Sequence, residues 1–407
     1  MHDDQSVKAL RVPLEDFNDS EVTGWHVRLS SSEEVGALEA KWTELQSRAA
    51  CSFFQSWGWV GSWIQALPPH LRPRCLEVRL DDRLVGLALL GNHKIRRHGL
   101  VRSNGLFVTE TGNRQFDCLT VEHNGFLVEN GLSAAVIHEG ISGLVKLRLP
   151  WDELVLSGVV KNGLAAYLDG AQRAQLGALV TIEKPYHFVD CDMVRRAGGD
   201  YLAALSRNTR YQVRRAMRSY EEQGELGFQV ADTLEQAEHY FDNLRQLHQQ
   251  YWISKGVPGA FGSEFALSFH RNLIRSRFCK GEIQLAKICA GQEPIGYLYN
   301  FVFDRVVYNY QSAFRYDTDN RLKPGLVSHC CAVRYNLEAG MKTYDLLMGT
   351  QRFKQNLATH QGEMAWLVLQ KPRIRFRFEQ VALRWYRKLR SMRAHGAAES
   401  NPGAAEG

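Results

Sequence analysis

A short basic loop in the second half of the chain has the spacing best suited to binding a phosphate. Arg321, Lys323, Pro324 and Gly325 precede a segment with helical periodicity, and Gly325 lets the backbone approach a ligand closely. The first amides of such a helix, here those of Gly325 and Leu326, are free and favour an anion in front of them. The two cations add positive charge at the same place. A turn of this composition is often only a turn, so the prediction depends on the flanking elements.

Two strands that flank this loop carry side chains suited to proton transfer. Tyr310 and Gln311 lie on the strand YNYQSAF. Tyr310 is a candidate proton donor to a leaving group, although strand tyrosines more often pack with a bonded hydroxyl. Asp345, in TYDLLMG, has apolar neighbours, so it is a candidate base for an incoming ammonium. The alternative is that Asp345 holds Arg352 or Lys354 in a buried ion pair.

The elements that must position these residues indicate a mixed α/β (α+β) fold. In the second half, three strands follow two helices, and the basic loop then leads into a helix, a strand and a last strand. The first half shows the same order of helices and hairpins, with one hairpin turning at Asp81–Asp82. Two α/β units of similar length, joined near residue 185, indicate a duplicated architecture without a repeat of individual residues.

Several segments resemble the GNAT acyltransferase superfamily. They are FFQSWGWVGSWIQAL, LSRNTRYQVRRAMRSYEEQG, GYLYNF, YNYQSAF, LKPG and YDLLMGTQRFKQNLA. Within that superfamily the chain resembles the CelD-like acetyltransferases of cellulose and exopolysaccharide biosynthesis, and these look like the FemAB-type peptidyltransferases with two GNAT-like halves. The resemblance covers about residues 25 to 385. Of the GNAT loop pattern, Arg321 and Gly325 remain, in a shifted spacing.

The resemblance implies tandem GNAT-like domains with central, mostly antiparallel sheets flanked by helices. It implies an acyl-CoA-dependent N-acyltransferase in which Lys354 stabilises the oxyanion, with Tyr310 and Asp345 as further catalytic candidates. The donor, acetyl-CoA or another acyl-CoA, would be held by Arg321, Lys323, Gly325, Leu326 and Gln311. The acceptor would be an amine on a sugar, a nucleotide sugar or another small molecule, and transfer to a hydroxyl stays open. No metal is expected.

The expected organisation has five parts. They are a polar arm (1–20), a first GNAT-like domain without activity (21–185), an active GNAT domain (186–370), a basic amphipathic helix (371–395) and a disordered tail (396–407). The basic helix carries nine Lys or Arg between residues 371 and 393. Its apolar face either packs against the protein, the interpretation we favour, or makes a peripheral contact with an anionic membrane.

Composition limits the class of protein. The chain has 407 residues with 44% hydrophobic content and a net charge of +6, which favours anionic partners without selecting one. The eight cysteines lack metal-binding or redox spacing, and no secretory signal or run of about 18 apolar residues is present. We therefore expect a soluble cytoplasmic protein that does not bind DNA.

Two other interpretations and one basic surface stay open. The first rival is an aminoacyl-tRNA-dependent ligase of the FemAB type, and the second is a non-catalytic scaffold of polysaccharide assembly. Arg207, Arg210, Arg214 and Arg218 lie along one face of a helix. This face could hold an anionic acceptor, but it is more simply a solvated surface paired with nearby glutamates.

Overall fold

The computed structural model describes residues 24–31, 35–99, 101–147, 149–379, 381–382 and 385. The strands are β1 (Trp25–Ser31), β2 (Arg74–Leu80), β3 (Arg83–Arg97), β4 (Val101–Val108), β5 (Leu127–Val128), β6 (Glu153–Val160), β7 (Gly177–Asp190), β8 (Leu226–Val230), β9 (Ile283–Ala290), β10 (Glu293–Phe303), β11 (Val306–Phe314), β12 (Thr343–Met348) and β13 (His360–Gln370). The helices are α1 (Val35–Gln46), α2 (Trp57–Ala66), α3 (Ser133–Lys146), α4 (Lys161–Arg173), α5 (Cys191–Arg196), α6 (Tyr201–Ala204), α7 (Arg207–Glu221), α8 (Leu234–Ser254), α9 (Glu264–Arg277), α10 (Pro324–Glu338) and α11 (Arg352–Leu357).

The strands form one continuous sheet through both halves of the chain. Its order is β1-β2-β3-β4-β6-β13-β7-β12-β11-β10-β9-β8, with β5 paired to β3. Neighbours are antiparallel except β4 with β6 and β11 with β12. The last strand, β13, lies between β6 and β7 and bonds to both. The predicted mixed α/β fold, with a mostly antiparallel sheet flanked by helices, is confirmed, and the sequence did not indicate that the two halves share one sheet.

An aromatic core joins the two halves. Phe53 of the first half stacks on Phe301 of β10, with ring centroids 4.5 Å apart, and Trp59 of α2 meets Phe269 of α9 edge to face at 5.0 Å. These side chains are fully or almost fully buried. Helix α2 forms because its apolar side chains recur at helical spacing, and it ends before Pro68-Pro69. This helix packs against α9 of the second half, so the two halves are held by a common core.

Each parallel strand pair diverges after three residue pairs, and the two resulting openings differ. In the first half, β4 and β6 are in register only over residues 105–107 and 153–155. Asn124 fills the gap beyond, because its Nδ2 donates to Val108 O at 2.8 Å and its backbone N to Gly158 O at 3.0 Å. Gly158 has a φ of +66°, and a Cβ there would lie 3.0 Å from Val121 O. The chain therefore closes the first opening with its own segment.

At the start of the basic C-terminal helix, apolar side chains are exposed, whereas we expected its apolar face to pack against the protein. Residues 374–379 are helical, and Phe376 and Glu379 are the buried members. Glu379 accepts from Arg97 Nε at 2.9 Å, which fixes that side toward the protein. Ile374, Phe378 and Val381 are exposed in consequence. The rest of this predicted helix, apart from residues 381, 382 and 385, lies outside the described residues, as do the polar arm and the tail.

We expect the shared core to make unfolding a single transition. Replacing Phe53 by Ala (Phe53→Ala) removes the ring stacked on Phe301 and should lower the free energy of unfolding by about 3–5 kcal/mol. Urea unfolding followed by both far-UV circular dichroism and tryptophan fluorescence measures this. The two probes should shift together in Phe53→Ala, whereas the control Phe378→Ala, at an exposed position, should leave both unchanged. Two separate transitions would contradict a common core.

Candidate functional site

The opening in the second half is a cavity. Strands β11 and β12 are in register only over residues 306–308 and 343–345, so β11 has no strand neighbour on this side beyond Tyr308 within the described residues. The cavity beyond that point has a volume of about 420 Å³. Tyr310 and Gln311 of β11, Met348 of β12 and Lys354 of α11 line it. Thr120 and Glu122, which belong to the first half of the chain, line it as well.

A β-bulge turns Tyr310 into the cavity wall. Tyr299 is opposite Gln311 and Asn300 is opposite Asn309, so Tyr310 is the extra residue of β11. Bulges re-aim side chains and are frequent beside active sites. The Tyr310 hydroxyl accepts a hydrogen bond from Thr120 N at 3.3 Å, and burial raises the pKa of this phenol. Tyr310 is therefore protonated at physiological pH.

A chain of hydrogen-bonded Asn and Gln side chains connects the bulged strand to α10. Asn336 of α10 and Gln284 of β9 bond to each other at 2.9 Å. Asn300 Nδ2 donates to Gln284 Oε1 at 2.9 Å, and Asn309 Nδ2 donates to Asn300 Oδ1 at 2.8 Å. Ser312 Oγ, at the cavity surface, donates to Asn309 Oδ1 at 3.0 Å. Because buried amides are costly to leave unpaired, this chain fixes the position of β11.

Two charged side chains hold the peptide groups of Met348. Lys354 Nζ donates to Met348 O at 2.7 Å, and Glu122 Oε2 accepts from Met348 N at 2.7 Å. Burial lowers the pKa of Lys354, although Glu122 and Asp345 oppose the shift. Next to Met348, Gly349 has a φ of +152°, and a Cβ there would lie 3.3 Å from Lys354 Nζ. The lysine thus has a defined place at the cavity wall.

Glu122 is a residue of this site that the sequence did not reveal. Its side chain is almost fully buried, and burial raises its pKa to about 7, while the bond from Met348 N and the charge of Lys354 oppose the shift. It comes from the segment between β4 and β5, where the sequence pattern predicts strand-like pieces. The only local signal is the polar run Glu122-His123-Asn124 between apolar residues, which is typical of many loops. Nothing local indicates that this loop reaches the second half.

Asp345 lies behind the cavity and has a partner that was not predicted. Its Oδ2 is 2.9 Å from His123 Nε2, and its Oδ1 accepts from Leu347 N at 2.7 Å. His123 also packs edge to face against Tyr186 and Tyr308. The proposed ion pair with Arg352 or Lys354 is therefore replaced by a pair with His123. Asp345 does not line the cavity, so the geometry favours a supporting place for it over direct contact with an acceptor.

The predicted phosphate loop lies where α10 begins, next to the cavity. Lys323 is the residue before the first turn, and no side chain caps that turn within the described residues. A Cβ on Gly325 would meet the ring of Phe314 at 3.3 Å, so glycine allows the helix start to approach β11. Arg321, in contrast, is engaged by Asp319, with its Nη2 2.7 Å from Oδ2. Lys323, Gly325 and Leu326 are thus better placed for a phosphate than Arg321.

The structure therefore brings together three of the predicted site residues in one cavity, namely Lys354, Tyr310 and Gln311. Asp345 lies behind the cavity, and the residues of the basic loop lie beside it and do not line it. No group of three or more metal-binding side chains occurs among residues with a described position. In the described part of the chain, no helix has the length and apolar character needed to cross a bilayer.

The family match falls on the part of the chain that contains Tyr310, Gln311 and Lys354. Residues 207–355 match the family described as acetyltransferase (GNAT) domain. No curated protein sequence matches the chain. Among solved structures, FemX is similar over 80% of this chain and 95% of its own, with 12% identity and a TM-score of 0.55. L-PGS from Bacillus licheniformis is similar over 84% and 94%, with 12% identity and a TM-score of 0.52.

At such identities the likeness to solved structures concerns the fold. A tandem GNAT protein from the clavulanic acid biosynthesis pathway also matches, over 86% of this chain and 99% of its own, with 13% identity and a TM-score of 0.44. The match of residues 207–355 supports a GNAT acetyltransferase domain, and the likeness to FemX supports the fold. The CelD-like branch and the link to cellulose or exopolysaccharide are not supported by these comparisons and stay predictions.

The buried carboxyl of Glu122 should make stability depend on pH. Its pKa, ordinarily 4.5, is about 7 in the folded protein, so the folded state binds this proton more tightly than the unfolded state. The wild type should therefore lose stability relative to Glu122→Gln as pH rises from about 4.5 to about 7, by as much as about 3 kcal/mol. Urea unfolding of both proteins at pH 5 and pH 8 measures the difference. The exposed Glu293→Gln should show no such trend, and a pH-independent difference for Glu122→Gln would contradict the assignment.

Proposed function

We propose that this chain is an acyltransferase that moves an acyl group from acyl-CoA to an amine. The observation that carries the proposal is the pair Glu122 and Lys354, which bind the N–H and the C=O of the same residue, Met348, at the wall of a cavity between two diverging strands. The match of residues 207–355 to a GNAT domain supports the same reaction class. Acyl transfer needs a proton acceptor for the amine and a positive group for the oxyanion, and this pair supplies both.

The residues present fit an acyl-CoA donor. The edge of β11 beyond Tyr308 is open and can bond to an extended acyl or amide chain, because its backbone groups on that side meet no other strand among the described residues. The start of α10 offers free amides at Gly325 and Leu326, and Lys323 adds a cation, which suits a pyrophosphate. Gln311 lines the cavity between these places. Arg321 contributes less, since Asp319 already neutralises it.

The arrangement supports direct transfer without a covalent enzyme intermediate. Glu122, with a pKa of about 7, is partly ionised near neutral pH and takes the proton that the acceptor nitrogen loses. The nitrogen then forms a bond to the thioester carbonyl carbon, and the C–S bond breaks. Lys354 Nζ donates one hydrogen bond to Met348 O and can donate a second one to the oxyanion. Tyr310 accepts from Thr120 N, so its own proton is available to the leaving thiolate. A hydroxyl acceptor would use the same groups.

In this proposal the first half serves the second, and its own strand opening is not a transfer site. Its own strand opening is filled by Asn124, and the same segment delivers Glu122 and His123 to the second half. This asymmetry supports the predicted division into a first unit without activity and an active second unit. The acceptor, an amine on a sugar, a nucleotide sugar or another small molecule, would enter beside Glu122.

The cellular setting belongs to the same proposal. It comprises a cytoplasmic location, a place in exopolysaccharide or cell-envelope synthesis and a peripheral membrane contact of the basic C-terminal helix. The exposed Ile374 and Phe378 support that contact.

Calorimetric titration with acetyl-CoA and CoA tests the donor. We expect micromolar binding by the wild type and at least tenfold weaker binding by the double variant Arg321→Ala, Lys323→Ala, with most of the loss from Lys323. The control Arg315→Ala removes an exposed cation that pairs with Glu293 near the same loop and should bind as the wild type does. Absence of binding by the wild type would exclude acyl-CoA. The charged-tRNA and scaffold interpretations would then be the ones to test.

Two variants test the chemistry separately from donor binding. Glu122→Gln and Lys354→Met should bind acetyl-CoA within a few-fold of the wild type but release CoA thiol at least about 100-fold more slowly with amino sugars or nucleotide sugars. The physical reason is that each removes a charge needed in the transition state and leaves the donor's phosphate contacts in place. Arg352→Met, at an exposed cation of α11, is the matched control. Equal rates for Lys354→Met and Arg352→Met would contradict the role of Lys354.

A further inference from the structure

The rim of the cavity exposes an unusual number of apolar side chains. Helix α8 ends there with Tyr251, Trp252 and Ile253, and Val257 follows in the next turn of chain. Tyr316, in the loop after β11, packs on Tyr251 with ring centroids 5.6 Å apart. Ile253 is 65% exposed and Tyr316 is 62% exposed. We call these five residues the apolar rim. Contiguous exposed apolar groups are typical of an interaction surface.

A row of arginines lies on α7. Arg207, Arg210, Arg214 and Arg218, the arginine stripe, share the solvent face of this helix, and Tyr211 is exposed among them. At a rise of 1.5 Å per residue the stripe extends over about 16 Å. None of the four forms a salt bridge with another described residue, although Glu221 ends α7 and Glu222 follows it. The expected pairing with nearby glutamates is therefore absent from the described structure.

The apolar rim and the arginine stripe border the same loop. Tyr316 begins the loop 316–321, and its Asp319 interacts electrostatically with Arg215 and Tyr220 of α7. On the other side, Tyr316 meets Tyr251 of α8. Arg321 binds Asp319, so the loop adds the single charge of the exposed Asp317 to a face that carries the four arginines of the stripe. The loop therefore connects α7, which carries the stripe, to the rim, and these three features make up the face proposed below to bind a partner.

We propose that this face binds the surface of a bilayer that contains anionic phospholipids. The guanidinium groups of the stripe match lipid phosphates, and aromatic side chains such as Trp252 and Tyr316 are suited to the headgroup region. Ile253 and Val257 would enter the acyl boundary, which a nucleic acid could not offer them. Binding in this way directs the cavity mouth toward the bilayer, so the acceptor would be a molecule presented at the membrane surface. The inference uses surface residues and does not depend on the identity of the acyl donor.

Vesicle sedimentation with the full chain tests the proposal. The wild type should bind vesicles of phosphatidylcholine with 30% phosphatidylglycerol (about one lipid in three) and not vesicles of phosphatidylcholine alone, and binding should weaken as salt is raised. Each arginine near an anionic surface contributes enough that Arg207→Gln, Arg210→Gln, Arg214→Gln and Arg218→Gln in one variant should weaken binding at least 100-fold. The matched control replaces the same number of exposed cations in the first half, by Lys94→Gln, Arg96→Gln, Arg102→Gln and Arg114→Gln, and should retain binding.

A second variant distinguishes the apolar rim from the basic C-terminal helix. Ile253→Gln with Val257→Gln leaves the charge unchanged and should weaken vesicle binding at least tenfold, whereas Phe378→Gln with Val381→Gln, on the basic C-terminal helix, should weaken it less, because the stripe and the rim make the main contact. Loss of binding in the Phe378 and Val381 variant alone would assign membrane contact to that helix and overturn the proposal. Equal losses in the stripe variant and its control would show attraction by net charge only and would also overturn it. Stripe-dependent binding to single-stranded RNA without vesicle binding would overturn the proposal in favour of a nucleic acid.

Discussion

The structure of the candidate site depends on how the backbone N–H and C=O of Met348 are held after two strands diverge. Beyond Asp345, β12 no longer bonds to β11, and charged side chains take over the backbone groups of Met348. Glu122 accepts a hydrogen bond from the Met348 N–H, and Lys354 donates one to the Met348 C=O, each at 2.7 Å. If either were lost, a polar backbone group would be left without its partner at the wall of the cavity. The same two bonds place an acid and a base within one cavity, so the contact that keeps the opening in shape also supplies its chemistry.

This constraint explains why the two halves are joined so extensively. Glu122 can reach Met348 only if the segment that carries it is fixed, and Asn124, bonded to both diverging strands of the first half, fixes it. His123 Nε2 also lies 2.9 Å from Asp345 Oδ2, so the segment contacts β12 a second time. The aromatic contacts of Phe53 and Trp59 with the second half, and the position of β13 between β6 and β7, hold the surrounding frame. The segment that fills the opening in the first half thus also supplies Glu122 to the cavity of the second half.

Burial decides the electrostatics of the site. It raises the pKa of Glu122 and Tyr310 and lowers that of Lys354, and in each case burial is the largest contribution. The mutual attraction of Glu122 and Lys354 opposes both of their shifts. The consequence is an acid and a base that are closer in proton affinity than they would be in water, which is the condition that general acid and base catalysis requires. A more exposed pair would be a simple surface salt bridge with little effect.

Local sequence was sufficient for much of the description. The spacing of apolar residues predicted most of the helices and strands, the dipeptide Asp81-Asp82 predicted a hairpin, and Lys323 with Gly325 marked the start of α10, because each of these depends on neighbours in the chain. The strand around Tyr310 was found from the same kind of pattern, and Lys354 was found through the resemblance to the FemAB-type transferases. The partner of Asp345 was missed, since His123 lies far from it in sequence. Only the tertiary structure decided that Glu122, 226 residues from Met348, completes the cavity, and that the two halves share one sheet. Such contacts join residues that are far apart in the sequence. The residues next to Glu122 or Met348 in the chain therefore carry no pattern that predicts them.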